Sequence, residues 1–501
     1  MPTFAPASLR ARRIVATCLL PLACLTLPSV HAQPAGLPEL GDSAAVDLSP
    51  RVERRLGEAI MADGRRDPTY IDDPAIRQYL TDMGRDMARH TAGAPAVEVF
   101  AIRDPGINAF ALPGGFIGLH SGLVVATQSE SELAGVLAHE IAHVSQRHVA
   151  RQIGQQGRNS LLMLGMMAAA LAAAASGAGD LAQGAAVFGQ AAVVSQQLAF
   201  SRDAEREADR IGLEMMGKAG FDPAGMSAMF GRLMQNTRFN TGAGPTYAST
   251  HPLSLDRMSD MQNRAREVAA RPQRESPTFW FVRARLAVAQ SGYSRASDPV
   301  SVLRAEASAN PGVRAAAAHY GIAVAMLQRN DPVGARAAWR DAMSQGVQHP
   351  MLAQLETDLD IAQGDFAGAV AHSAKAFSTW PQQRSLALSH ARALQRAGQD
   401  AQAVRFLDER IKAWPESEPE LYRLSAESYA RLGQRAEQAR RMADYYNQIG
   451  ALPASLQQLQ QARSATTDFY EQSVLDARIA DMQRRIEDDR ALSRQFQKQM
   501  G

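Results

Sequence analysis

The sequence predicts a mainly α protein: an α+β domain with a small sheet, followed by an α-helical solenoid of repeated helical hairpins. Three observations predict it. Apolar residues recur at three and four through most of the chain, the pattern of half-buried helices. Two short runs, Val97 to Ile102 and Phe116 to Leu119, read as strands, the second behind the turn Pro113-Gly114-Gly115. Beyond Ser276, Gly364, Gly398 and Gly433 fall 34 and 35 residues apart, with Asn330 34 residues before the first.

The N-terminus is set apart from this plan. Arg10, Arg12 and Arg13 precede an apolar run from Ile14 to Leu27, and Val30-His31-Ala32 supplies small residues for cleavage, so residues 1–32 read as a secretory signal peptide. The run is short for a membrane span, which needs ~17–25 residues. An uncleaved anchor, or a lipoprotein acylated at Cys24, is the weaker alternative. Cys18 and Cys24 are the chain's two cysteines and both lie in this segment, so the mature protein has no disulfide and no thiolate to hold a metal. Removing the three arginines takes the formal charge from +2 to −1. That balance gives no basic excess to argue for nucleic acid and no acidic block to argue for a disordered tail.

Residues 33–46, rich in Pro, Gly and Ala, read as a leader. A domain follows over 47–270. Leu48 to Gly64 and Ile71 to Ala88 read as helices, the second started by Asp72-Asp73-Pro74. After the strands, Ser129 to about Gln152 reads as one long helix. Two Ala-rich stretches, Leu161–Gly179 and Leu181–Phe200, read as a helical hairpin over 160–200. Ser201 to Ala219 is helical again, with Gly220 as its stop, and 236–250 reads as a loop. Residues 276–495 form the repeat domain. Ala335, Ala369 and Ala403 each lie five residues after Asn330, Gly364 and Gly398, and Trp380-Pro381 and Trp414-Pro415 are 34 apart. The period resembles tetratricopeptide repeats, with about three units and degenerate flanks at 276–310 and 451–495.

The chemistry is concentrated in His139-Glu140-Ile141-Ala142-His143. On a helix, positions four apart share a face, so both imidazoles can reach one zinc ion while Glu140 lies beside the place left for water. Leu133, Val136, Leu137, Ile141 and Val144 give that helix its own apolar stripe. A zinc peptidase needs a third protein ligand. His148 does not fit the spacing of a third histidine, since Gln146 and Val149 stand where Gly and His are required, and it reads as a surface residue. Carboxylates remain. Glu205 and Asp209 share a helix face while Glu207 points nearly the opposite way. Glu205 can then ligate the ion and Asp209 can accept a hydrogen bond from a ligating histidine. On spacing alone a solvated face, on which Arg202 and Arg206 pair with these acids, is the better fit.

HExxH followed about sixty residues later by ExxxD resembles the gluzincin metallopeptidases related to HtpX and the CAAX prenyl protease. The run Asn108-Ala109-Phe110-Ala111-Leu112-Pro113-Gly114-Gly115, with Gly122-Leu123, resembles the family's segment upstream of the zinc helix. Thr250-His251-Pro252 with Arg257 resembles its later His-Pro element. With a signal peptide ahead and repeats behind, the layout is similar to periplasmic members that serve outer-membrane β-barrel assembly. The resemblance implies one zinc ion per chain on His139, His143 and Glu205, and Glu140 as catalytic base. His251 would occupy or guard the fourth position, and His251 or Arg257 would help to stabilise the oxyanion. It also implies a periplasmic metalloendopeptidase whose partners are unfolded or misassembled outer-membrane proteins and the barrel-assembly complex, with peripheral membrane association. A chaperone or scaffold with little proteolytic activity is the alternative. Phe116–Leu119 is expected as an edge strand that pairs with substrate backbone, with plain core as the other reading. The Ala-rich hairpin is expected over the active site as a lid, with membrane insertion as the other reading.

Overall fold

The structure is a computed structural model. It describes residues 49–156, 200–239, 247–267, 274–290, 298–414 and 418–498. The expected signal peptide and leader, and the Ala-rich hairpin apart from Phe200, lie outside the described residues. Helix α1 (Pro50–Gly64) starts at Ser49, whose hydroxyl accepts from the Val52 N–H, with Pro50 in the first turn where no donor is needed. Helix α2 (Pro74–Ala88) is capped by Asp73, which accepts from the N–H groups of Ala75 and Ile76.

Three strands follow, β1 (Glu98–Ile102), β2 (Ala109–Leu112) and β3 (Phe116–His120). The order in the sheet is β1-β3-β2, with β3 parallel to β1 and antiparallel to β2. The expectation for Phe116–Leu119 is therefore corrected: it is the central strand, with both edges paired. The outer strands are β1 and β2, and sequence reasoning did not identify β2 because four residues carry too little alternation to register. Side chains alternate across the sheet. Val99, Ala101, Ala109, Ile117 and Leu119 join one hydrophobic cluster. Phe100, Ile102, Phe110, Leu112 and Phe116 join another with Leu56, Ile60 and Met61 of α1.

After the short helix α3 (Ser121–Ala126) comes α4 (Glu130–Ser145), buried on every side from Glu130 to His143. The expected continuous helix to Gln152 is broken. Arg147 takes a left-handed backbone (φ 51°), and α5 (His148–Gln156) begins directly after it. Helix α6 (Arg202–Ala219) opens at the Ser201 cap and ends at Gly220 (φ 86°), as expected. It packs closely on α4: a Cβ on Gly212 would lie 3.3 Å from the Ala138 carbonyl carbon and the His139 nitrogen. Helices α7 (Ala224–Phe239), α8 (Tyr247–Thr250) and α9 (Leu255–Glu267) complete this part. The expected loop at 236–250 is thus shortened from both ends.

Helices α10 (Pro277–Ala289) and α11 (Pro299–Ala309) lead into four hairpins. These are α12 (Val313–Gln328) with α13 (Pro332–Ser344), and α14 (Pro350–Gln363) with α15 (Phe366–Thr379). They continue as α16 (Arg384–Arg396) with α17 (Asp400–Ala413), and α18 (Pro419–Arg431) with α19 (Arg435–Gln448). The turn of each hairpin holds Asn330, Gly364, Gly398 or Gly433 at positive φ (59°, 79°, 71° and 73°), which explains the repeat of Gly and Asn there. Ala335, Ala369 and Ala403 are fully buried, and Ala439 rather than Gln438 continues the set. Trp380 and Trp414 each end a second helix. Helices α20 (Leu452–Ala465) and α21 (Phe469–Lys498) close the described chain.

The solenoid curls back onto α2. Arg77 pairs with the buried Glu418, Asp73 with Arg285, and Gln78 bonds the Gln382 carbonyl and the Arg384 N–H, each at 3.0 Å. One hydrophobic cluster runs from Ile71 to Leu359 across the expected division near 270. Among the described residues no helix is long and apolar enough to cross a membrane.

Candidate metal centre

Helix α4 presents His139 and His143 one turn apart, α6 brings Glu205 and Asp209, and the segment after α8 brings His251. His139, His143, Glu205 and His251 converge, one donor atom of each lying within 4.8 Å of all the others. All four are buried. His139 Nε2 is 3.0 Å from His143 Nε2, 3.3 Å from His251 Nδ1 and 3.4 Å from Glu205 Oε2. Glu205 Oε1 is 3.0 Å from His251 Nδ1 and 3.5 Å from His143 Nε2.

These spacings fit a zinc ion. Four N and O donors about 2.0–2.1 Å from a centre form a tetrahedron with edges of about 3.3–3.4 Å. Ring nitrogens and carboxylate oxygens this close, each offering a lone pair, need a cation or protons between them. Without metal a proton fills that need in part. Burial opposes charge on His139, but the hydrogen bonds it donates to Asp209 and Glu205 outweigh it and push its pKa up to about 9. Burial, reinforced by the charge of His139, holds His143 well below the ordinary range. Burial would raise Glu205, yet the charge of His251 and the hydrogen bond of His139 hold it well below the usual carboxylate range.

The supports are equally specific. Asp209 Oδ1 lies 3.0 Å from His139 Nδ1, leaving Nε2 to face the cluster. Arg257 holds both oxygens of Asp209 at 2.8 Å and Glu205 Oε2 at 2.8 Å, and donates to the Pro252 carbonyl. The guanidinium is buried and its donors point at acids, so the expectation that Arg257 assists an oxyanion is corrected. Both oxygens of Glu140 are buried without a hydrogen-bond partner among the described residues, although His251 Nε2 is 3.4 Å from Oε1. A buried carboxylate kept free beside a donor cluster is available to handle a proton.

His148 is also corrected. It is 3 % exposed rather than a surface residue, and its Nδ1 lies 2.7 Å from His143 Nδ1. Glu207, expected to point away, reaches His148 Nε2 at 3.1 Å. The break at Arg147 accounts for the burial of His148, because it turns residue 148 back toward the preceding helix. Two aromatic walls were also missed. Phe200 stacks on His143 with centroids 4.0 Å apart, and Tyr247 stacks on His251 at 4.4 Å. No motif marks them, since flat walls can be built from many aromatic positions.

Residues 74–265 match the model of Peptidase family M48. A β-barrel assembly-enhancing protease of Yersinia pestis is 31% identical over 89% of this chain and 92% of its own length. The chain belongs to peptidase family M48. A second β-barrel assembly-enhancing protease, from Escherichia coli K12, is 29% identical over 93% of this chain and 96% of its own. The mitochondrial metalloendopeptidase OMA1 of Schizosaccharomyces pombe is 37% identical over 33% of this chain and 45% of its own, so that likeness is confined to one region. This M48 protein is a metal-dependent peptidase, and the clustered histidines and Glu205 suit such a site.

Proposed function

We propose that this M48 peptidase is a periplasmic zinc endopeptidase that cleaves misfolded or stalled outer-membrane proteins, using one zinc ion per chain. The observation that carries the reading is the convergence of His139, His143 and Glu205 beside the unpartnered carboxylate of Glu140. His139, His143 and Glu205 would hold the ion, and His251 would occupy or guard the fourth place in the resting protein. A catalytic site keeps that place open, so His251 would have to leave it for substrate to enter. Zinc, when bound, supplies a Lewis acid that acidifies water and polarises the scissile carbonyl. Glu140 takes the proton of the attacking water and delivers it to the leaving amine. Asp209 keeps His139 in its ligating tautomer, and Arg257 pairs with both buried acids of α6.

The secretory signal read in the sequence supports the compartment. The names of the two β-barrel assembly-enhancing proteases support a substrate class connected with β-barrel assembly. The repeat domain is the part proposed to engage substrates or the barrel-assembly machinery, since stacked helical hairpins leave a concave face. The deciding experiment measures metal content of the purified mature protein and cleavage of an unfolded outer-membrane protein. Chelation is expected to abolish cleavage, and one equivalent of zinc to restore it. Undiminished cleavage by metal-free protein would overturn the reading.

Substrate backbone pairs with β2. The register of β2 on β3 leaves Ala109 and Ala111 with their backbone groups directed away from β3, and the Asn108 side chain already occupies the Ala109 N–H. Proline is tolerated on an edge strand but removes its donor. Ala111→Pro should retain zinc and raise KM for an unfolded substrate by roughly tenfold, the worth of about one hydrogen bond. An unchanged KM would exclude pairing at this edge.

A further inference from the structure

We propose that His148 and Glu207 form an outer pair that fixes His143 in the tautomer whose Nε2 faces the donor cluster, as Asp209 does for His139. The inference rests on the metal reading above and adds two positioning residues to it.

Two ring nitrogens 2.7 Å apart, His143 Nδ1 and His148 Nδ1, must share a single proton. Glu207 decides which ring carries it. Its carboxylate accepts only, so the hydrogen of neutral His148 sits on Nε2, 3.1 Å away. His148 Nδ1 then offers a lone pair, and the shared hydrogen belongs to His143. That leaves His143 Nε2 bare, directed at His139 and Glu205. Arg151 holds the same oxygen of Glu207 at 3.1 Å and so orients the carboxylate.

The backbone is arranged around this contact. A continued helix would direct residue 148 away from position 143, since residues five apart do not share a face. The left-handed Arg147 and the restart of α5 bring the two rings to centroids 4.7 Å apart. Such a conformation is unfavourable for a residue with a side chain and persists where surrounding contacts hold it. Phe200 covers the face of His143, so ring rotation is blocked as well. One histidine ligand is thus oriented by an acid directly, the other by an acid acting through a second imidazole.

The test compares wild type with His148→Phe, His148→Gln and Glu207→Ala. Zinc affinity is measured by chelator competition, the visible spectrum is recorded on the cobalt-substituted proteins, and melting is followed without metal. His148→Phe and Glu207→Ala should weaken zinc binding about 10–100-fold and shift the cobalt bands. Gln at 148 can accept from His143 and donate to Glu207, so His148→Gln should stay within about threefold of wild type. Wild-type affinity in His148→Phe, or equal loss in Phe and Gln variants, overturns the assignment. Should His148→Phe not fold, Glu207→Ala decides, because residue 207 is partly exposed and its loss is tolerable. A wild type that binds no divalent metal would instead sink the metal reading itself.

Discussion

Glu140→Gln is expected to bind zinc like the wild type and to cleave an unfolded outer-membrane protein on the order of a thousandfold more slowly. General acid–base catalysis contributes about 10²–10⁴ in rate, and an amide can neither take a proton from water nor return it. The substitution keeps shape and volume in a site where residue 140 is completely buried, so folding should be intact. Nor does Glu140 belong to the donor cluster, so metal content should not change. Paired measurements of zinc content and proteolysis check this. Loss of zinc in the variant would place Glu140 among the ligands, and undiminished turnover would remove it from the chemistry. The same variant separates enzyme from chaperone: a protective effect on outer-membrane proteins that survives in Glu140→Gln belongs to the rest of the chain.

Arg257→Ala should cost roughly 3–5 kcal/mol of stability in the metal-free protein, more than any surface ion pair here. Arg257 compensates two carboxylates that are 2 % exposed or less, and without it both depend on the protonated His139 between them. Arg257→Lys should recover only part, because an ammonium cannot grip Asp209 with two parallel bonds. Burial would raise the pKa of Asp209, but the hydrogen bonds of Arg257 and His139 hold it below its ordinary range. A depressed folded pKa contributes stability above about pH 5 and loses it as pH falls through the folded value. Metal-free wild type should therefore weaken in acid, and Arg257→Ala should show a shallower dependence. Urea titrations at pH 7 and pH 3 measure both effects, and an Arg257→Ala midpoint equal to wild type would remove the clamp.

How legible the molecule is from its sequence depends on where each constraint is encoded. The ligand candidates on α4 and α6 are local patterns of four, so helical periodicity exposes them. The hairpin turns are equally local, since the left-handed residue is Gly or Asn in each. What eludes a linear reading depends on distant geometry. His148 reads as a surface residue until the αL break at Arg147 is known, and no glycine advertises that break. Arg257 reads as substrate-facing until α9 is seen to deliver it to the acids of α6. The swap of edge and centre between β2 and β3 is a matter of pairing order, which hydrophobic alternation does not encode.

The junction between the two halves has a practical consequence. Arg283, on the first helix beyond the expected division, donates to the Val125 and Thr127 carbonyls at 3.1 and 3.0 Å, and the Ser276 N–H reaches Glu130 at 2.6 Å. Those partners lie at the doorstep of the zinc helix. Trimming the chain before residue 276 would strand these acceptors and bare the apolar surface against which Phe279 and Phe281 are seated. The repeats thus act as a chassis: an enzyme engineer who wants the catalytic half alone must first redesign the wall it leans on.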